Sequence, residues 1–314
     1  MDVRHLKYFV AIVECGSLSK AAAQLFVSQP SLSQHITNLE SELNTVLLLR
    51  SPSGVKPTEA GTLLYREAQQ ILRQMDDLRR QVTTGIKNVS GSVTIGLPTT
   101  IAAVLAAPLL EQTLTLYPGI RLHIIESMSG YISELLANGR LDLAILFRDT
   151  ETRGVSIQPL FDEDLYVIGN AGLSLSVDQR DCPLSALADV PLVTPGGGVG
   201  LRLLIERTFA RENLALNIIA DIDSLPTMIE IACRGTACTI LPPSSLMTKA
   251  RDTWPLVRKI SEPGMSRPAS LCWSTSIPTS AAHLAIKELI PLLVAQLQAS
   301  GQWVGIALRA SSDD

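Results

Sequence analysis

Residues 17–43, SLSKAAAQLFVSQPSLSQHITNLESEL, constrain the fold of this chain more than any other stretch. They read as two short helices joined by a tight turn. Ser17 is placed to cap the first, which packs through Ala21, Ala22 and Leu25. Ser28 is placed to cap the second, with Pro30 in its first turn, where a missing backbone N–H does no harm. On that helix Leu32, Ile36, Leu39 and Leu43 recur at spacings of four, three and four, which predicts one buried stripe. The opposite face carries Pro30, Ser33, Gln34, Thr37, Asn38 and Ser41, short hydrogen-bonding side chains with almost no charge. A solvated helix uses Lys and Glu there, whereas a helix that reads base edges uses Ser, Gln, Asn and Thr. The pattern predicts a helix-turn-helix whose second helix reads DNA.

A module of this size leaves most of the 314 residues unexplained, so at least two domains are expected. Hydrophobic residues at 46% against 18% charged exclude a disordered chain. No uninterrupted apolar run reaches a membrane-spanning length, and MDVRHLKYFV lacks the apolar core of a signal peptide. A cytoplasmic protein without a membrane partner is the expectation. Net charge is −4, and residues 1–66 hold six basic side chains (Arg4, Lys7, Lys20, Arg50, Lys56, Arg66) against five acidic ones. The DNA reading therefore rests on placement, and a head so weakly basic needs a second copy to gather enough phosphate contacts. Five cysteines, at 15, 182, 233, 238 and 272, fit neither a disulfide framework nor a zinc pattern. Cys233 and Cys238 are close enough for a redox pair, against the simpler reading of buried reduced thiols. No metal or cofactor is expected.

Leu6, Phe9, Val10 and Val13 form the stripe of a helix that backs the reader. After the reader, LLLRSPSGVKPTEAG is punctuated by Pro and Gly and reads as a two-stranded wing carrying Arg50, Ser51, Ser53 and Lys56. Thr58, Glu59 and Gly61 open the next helix. Expected DNA contacts are Ser28, Gln29, Pro30, Ser33, Gln34 and Thr37 on the reader, with Arg50 and Lys56 on phosphates.

The run from Leu6 through Gly61 resembles the winged helix-turn-helix of LysR-type transcriptional regulators. The motifs carrying the resemblance are Gly16-Ser17, Ala21-Ala22, Ser28-Gln29-Pro30-Ser31-Leu32-Ser33, Leu39-Glu40, Arg50 and Thr58-Glu59-Ala60-Gly61. It implies that residues matching Gln29, Pro30, Ser33 and Gln34 lie in the major groove, and that Arg50 and the wing approach phosphates. Leu48 departs from the family's usual Phe, a core exchange that leaves DNA reading intact.

Residues 59 to about 87 contain no Pro, and Leu64, Ala68, Ile71, Met75, Leu78 and Val82 alternate spacings of four and three. This heptad seam predicts a helix of roughly 43 Å that pairs two subunits, against an ordinary amphipathic helix packed on its own domain. Asn88, Ser90, Gly91 and Ser92 read as a hinge. The expected divisions are 1–58 for the DNA-binding domain, 59–90 for linker helix and hinge, and 91–314 for an effector-binding domain.

From Val93, short apolar strands alternate with helices: VTIGL, a helix from Ile101, IRLHIIE, a helix near Ile132, then LDLAILF. A second set runs DLYVIG, PLVT, a helix over 199–213, NIIADI, a helix over 225–233 and CTIL, before ASLCWS and a closing helix over 280–298. Continuous apolar strands of this kind predict parallel sheets covered on both faces, an α/β fold. Two lobes crossed twice by the chain resemble the periplasmic-binding-protein-like effector domain of the same family. The expected lobes are 91–161 with 268–300, and 162–267, with only a polar tail beyond.

In such sheets ligands lie beyond the carboxyl ends of strands. Candidate effector contacts are Thr99 and Thr100 after Pro98, Ser127 and Ser129, Phe147 and Arg148, then Thr194 beside the glycine run at 196–200, and Arg202. Hydroxyls and free N–H groups at helix starts suit a small carboxylate, clamped by Arg148 or Arg202. Against this, the threonines could serve only as caps, the glycines as a crossover, and Arg202 could face solvent. Ala237 stands where the family commonly has a second glycine, which would narrow the cleft.

Within the family, LKYFVAIVECGSL, LLLRSPSGVKPTEAG and LDLAILF look most like the nitrogen assimilation control subgroup. That likeness implies a regulator needing no effector, its DNA binding set by its own abundance. Expected partners are double-stranded operator DNA, further copies of the chain as a homodimer or homotetramer, RNA polymerase and a small anionic effector. Two other classes compete: a small-molecule-binding protein with no DNA role, and an enzyme. His5, His35, His123 and His283 form no catalytic motif, so no catalytic residue is expected.

Overall fold

The computed structural model describes the chain except for residues 53, 85–88, 153, 174–180, 199, 248, 251–252, 276–278 and 310–314, and describes no side chains at 73, 76, 77 and 79–84. It divides into two compact units, Met1–Ser92 with Asn138–Arg140, and the remaining described residues.

In the first unit, α1 (Val3–Cys15) is capped by Asp2, whose carboxylate accepts from the His5 amide while the His5 ring accepts from the Asp2 amide. It ends on Gly16 at φ 60, a left-handed cap that glycine adopts without strain. α2 (Leu18–Gln24) starts on Ser17 and α3 (Gln29–Glu42) on Ser28, with Pro30 in its first turn. Leu32, Ile36 and Leu39 are wholly buried against Phe9, Ile12, Ala21 and Ala22. Leu43 is 39% exposed, so the stripe ends a turn earlier than expected, where α3 itself stops.

The wing is an antiparallel hairpin of β1 (Leu48–Ser51) and β2 (Gly54–Pro57). The Val55 amide donates to Gly16 O at 2.9 Å, and a Cβ at Gly54 would stand 2.7 Å from the same oxygen. Leu48, the departure from the family pattern, is buried in the core of this unit.

α4 (Glu59–Thr84) runs 26 residues, about 39 Å. Its proposed seam divides. Ala68 is wholly buried and Leu64 half-buried, both packed in the α1–α3 core beside Tyr65. The Tyr65 phenol is pushed up to about 12 by burial and then by Glu14, to which it donates. Ile71 and Leu78 are 40% and 60% exposed, and Met75 is half-buried. The first turns therefore serve their own unit, contrary to a pairing role along the whole seam. The Val82 side chain lies outside the described residues, as does Asn88 of the expected hinge, whereas Ser90–Ser92 open a strand.

The second unit, which takes β3 from Val93 onward, has two lobes. Lobe one comprises β3 (Ser90–Pro98), α5 (Thr99–Leu116), β4 (Gly119–Ser127), α6 (Ser129–Ala137), β5 (Leu143–Leu146) and β6 (Val155–Asp164). The chain crosses at Leu165 into lobe two: β7 (Tyr166–Ile168), β8 (Asp181–Pro183), β9 (Leu192–Thr194), α7 (Gly200–Arg211), β10 (Ile218–Asp221), α8 (Leu225–Cys233), β11 (Thr239–Leu241) and β12 (Val257–Ser261). It returns to lobe one as β13 (Ser266–Ser274), α9 (Ala281–Ala299) and β14 (Ile306–Leu308).

The lobe-one sheet has the order β14-β6-β13-β5-β3-β4 and is mixed rather than parallel. β3 pairs parallel with β5, but β13 lies antiparallel to both β5 and β6. The chain leaves lobe one along β6 and re-enters it beside that point, so the returning strand must run the other way. In lobe two β7 is antiparallel to β11 and β12, while β9 pairs parallel with β10.

Residues 301–308 of the segment expected as a tail are also structured. Trp303 is buried edge-on to Phe161, ring centroids 4.9 Å apart, and β14 pairs with β6. α5 is long and apolar enough to cross a membrane by length and composition, but Ile101, Val104, Leu105 and Leu109 lie in the lobe-one core with α9.

Candidate nucleic-acid interface and interlobe cleft

The uncharged face of α3 is open. Ser28, Gln29, Pro30, Gln34, Thr37, Asn38 and Ser41 are exposed, and Ser33 is half-buried. Gln34 Nε2 donates to Asn38 Oδ1 at 2.9 Å, and Thr37 Oγ1 to Ser33 O at 3.1 Å, which fixes these side chains in register along the helix. Arg50 on β1 is exposed and donates from Nη1 to Ser33 Oγ at 2.8 Å, so the wing's cation borders the reading face. Lys56 is exposed on the paired strand, opposite Leu49.

Sequence reasoning marked Glu40 only as part of the Leu39-Glu40 motif and gave it no role. Its Oε1 accepts the Leu47 and Leu48 amides at 2.8 and 3.1 Å, tying the end of the reading helix to the start of the wing. Thr58 closes the other side, with its hydroxyl donating to Val46 O and accepting from the Gly61 amide. A Cβ at Gly61 would stand 2.0 Å from Leu47 O, so only glycine fits this close approach. His35, on the flank of α3, packs edge-on against His5 and Tyr8.

Two cavities that share Thr99 and Leu225 lie between the lobes: one of about 650 Å³, within the roughly 300–1,000 Å³ of ligand pockets, and a smaller one of about 100 Å³. Thr99, Thr100, Ser127, Ser129 and Phe147 line the smaller one. Arg148, Thr194 and Arg202 line neither. Arg148 donates to Ser133 and Thr152, and Arg202 to Glu206, Asp221 and the buried Thr194 hydroxyl. Pro98 caps α5 with no side-chain bond, so neither threonine acts as its cap. Ala237 is buried in the lobe-two core rather than in the cleft wall.

Among the described residues the cation that lines the smaller cavity is Arg267, at the start of β13, while Arg234 and Lys249 line the larger one. Arg267 stacks on Phe147 at 3.4 Å from the ring centroid and donates to Thr100 Oγ1 at 3.2 Å. Its charge is already matched, because Nε donates at 2.8 Å to the wholly buried carboxylate of Glu163, which also accepts from Ser244 of lobe two. The glycine run shows the same pattern, with the Gly196 amide donating to Asp223 at 2.9 Å. Arg267 was hidden in the sequence because nothing in SRPASLCWS marks its first turn into the cleft.

The cysteines show no reactive surroundings of the kind a redox pair needs. Burial pushes the Cys182 and Cys238 thiols up to about 11 and Cys272 to about 12. Cys233 is exposed, so Cys233 and Cys238 sit in unlike surroundings, and all five cysteines are free.

Residues 3–62 match the family model described as bacterial regulatory helix-turn-helix protein, lysR family, and residues 87–297 match the LysR substrate binding domain. The nitrogen assimilation regulatory protein nac of Klebsiella aerogenes is 36% identical over 304 residues, 94% of this chain and 96% of that protein. The Escherichia coli K12 protein of the same name is 33% identical over 310 residues, 96% and 99% of the two chains. Among solved structures, a full-length OxyR variant from Pseudomonas aeruginosa superimposes with TM-score 0.72 at 24% identity, covering 99% of both chains. Full-length CbnR complexed with its target DNA gives 0.55 at 22% identity, covering 94% of this chain and 100% of that one.

Proposed function

Because the chain belongs to the LysR family of bacterial helix-turn-helix transcription regulators, we propose that it controls nitrogen-assimilation genes by placing α3 in the major groove of their operators. Gln29, Pro30, Ser33, Gln34 and Thr37 meet base edges, while Ser28, Arg50 and Lys56 hold phosphates. The observation that carries this reading is the exposed, uncharged, hydrogen-bonding face of α3 bordered by one arginine. Ile71, Met75 and Leu78, beyond the part of α4 that serves its own core, pair two subunits, with dimer or tetramer as the working assembly. RNA polymerase is the further partner at promoters that the protein activates.

Two readings of the effector domain follow from the cleft. Thr99, Ser127 and Ser129 offer hydroxyls to a small anion, the reading the strand ends suggest. Arg148 and Arg202, the side chains expected to clamp that anion, already meet polar partners within the protein, on Ser133 and Thr152 and on Glu206 and Asp221, as do Arg267 on Glu163 and the Gly196 amide on Asp223. This favours the second reading, in which occupancy of DNA follows the amount of protein. The full-length similarity to two proteins named as nitrogen assimilation regulators supports the nitrogen-assimilation part of this reading.

Genome-wide footprinting at graded protein concentrations, with and without small carboxylates and nitrogen metabolites, tests both. Footprints that track protein concentration alone support abundance control, and a footprint moved by one metabolite supports an effector. Absence of protection at any site overturns the regulator reading. Gln29→Ala is expected to lose roughly 1–3 kcal/mol of discrimination between operator and non-operator duplex.

A further inference from the structure

Phe26 stands 96% exposed in the turn between α2 and α3, although Leu25 and Val27 on either side both pack against the core of their unit. The backbone passes through φ 55 at Phe26, a left-handed conformation that bulky side chains rarely adopt. The Phe26 amide reaches Ala23 O at 3.3 Å and the Val27 amide reaches Ala22 O at 3.0 Å. This kink turns both neighbours inward and throws the phenyl ring out. Glycine or asparagine makes such a turn with less strain, so neither backbone geometry nor core packing accounts for an aromatic here.

We infer that Phe26 is a DNA-contacting residue whose ring lies against deoxyribose at the rim of the groove that α3 enters. The inference rests on the helix-turn-helix reading above. In that docking the start of the second helix meets the bases while the first crosses the backbone, which places the intervening turn at the groove edge. Phe26 lies two residues before the Ser28 cap and is continuous with exposed Gln29 and Pro30. The exposed residues nearest it in the chain, Ala23, Gln24, Ser28 and Gln29, are uncharged, and three of them have hydrogen-bonding side chains. They suit a sugar–phosphate edge, and they supply no second large apolar group of the kind a protein-docking patch needs.

A phenyl ring carries neither charge nor a base-edge hydrogen bond, so this contact adds affinity without sequence preference. The test compares wild type, Phe26→Asn and Phe26→Leu on two probes, a duplex selected by wild type from a randomised pool and a shuffled duplex of equal composition. Phe26→Asn suits the left-handed backbone, and its thermal midpoint is expected to match or exceed that of wild type. Fluorescence anisotropy should show it roughly tenfold weaker on both duplexes, with Phe26→Leu in between. The dependence of affinity on salt should not change, since no phosphate is neutralised.

Equal binding of the selected duplex by wild type and Phe26→Asn overturns the role of Phe26 and leaves the reading helix standing. A loss confined to one base pair, or a changed salt slope, overturns the deoxyribose contact. An altered oligomeric state with unchanged DNA affinity assigns the ring to protein contact and likewise overturns it. Failure of wild type to select any duplex strikes the regulator reading itself.

Discussion

Arg50 Nη1 donates to Ser33 Oγ at 2.8 Å, so β1 of the wing and α3 share a hydrogen bond at the edge of the exposed uncharged face of α3. The wing cation is therefore held, in the free protein, beside a hydroxyl proposed to read a base. Removing either partner should disturb both functions. Arg50→Ala is expected to weaken binding of all duplexes about tenfold and to lower the salt slope by about one. Ser33→Ala should lose discrimination and free the guanidinium. In a double-mutant cycle on operator affinity the two changes should couple, and strictly additive losses would show that the bond seen in the free protein is not kept on DNA.

Glu40 makes a different kind of link, accepting two wing amides with one carboxylate oxygen. Glu40→Ala leaves partly buried N–H groups unsatisfied and is expected to destabilise the first unit by about 1–3 kcal/mol. Glu40→Gln keeps an acceptor oxygen and should lie much nearer wild type. Urea unfolding followed by circular dichroism separates them, and equal midpoints for the two variants would remove Glu40 from the architecture of the wing.

His283 gives the effector domain a pH dependence. Its amide is capped by Ser280, and burial holds the imidazole below its ordinary value of 6.5, with Asp142 opposing and Lys287 reinforcing the shift. The ring therefore stays neutral in the fold while the unfolded chain takes up a proton. Stability from this group is present above about 6.5 and is lost as pH falls below it. Urea midpoints at about pH 7.5 and about pH 5.5 should fall less for His283→Leu than for wild type. An identical fall in both would assign the acid sensitivity to other groups.

Local chemistry made the reading head legible. Ser17 and Ser28 at the caps, Pro30 at a first turn and three apolar residues at helical spacing each act within a few residues, so the sequence exposes them. The motif residue Glu40 kept its role hidden because its partners are backbone amides seven and eight residues on, which no side-chain pattern announces. The seam of α4 misled in part. Ala68 and Ile71 have the same periodicity, yet only the first meets the core, because periodicity records that a face is apolar and not what covers it. In the effector domain, runs of apolar residues located the strands but not their directions. The antiparallel course of β13 follows from where the chain re-enters lobe one. The same long-range event brings Arg267 to Glu163, residues 104 apart, and so decides the chemistry of the cleft.

That pair yields the last prediction. Glu163 is wholly buried and Arg267 nearly so, the guanidinium being shared among Glu163, Thr100 and the Phe147 ring. Arg267→Met would strand a buried carboxylate with only the Ser244 hydroxyl, at a cost of about 3–5 kcal/mol. Glu163→Gln keeps the shape but releases the arginine's charge toward the cleft. If carboxylates fail to bind wild type because Glu163 already fills that role, a panel of small carboxylates should leave its thermal midpoint unchanged and should raise that of Glu163→Gln. A ligand that raises the wild-type midpoint and loses its effect in Arg267→Met would instead make Arg267 the clamp of a working effector site, and abundance control would then give way to metabolite control.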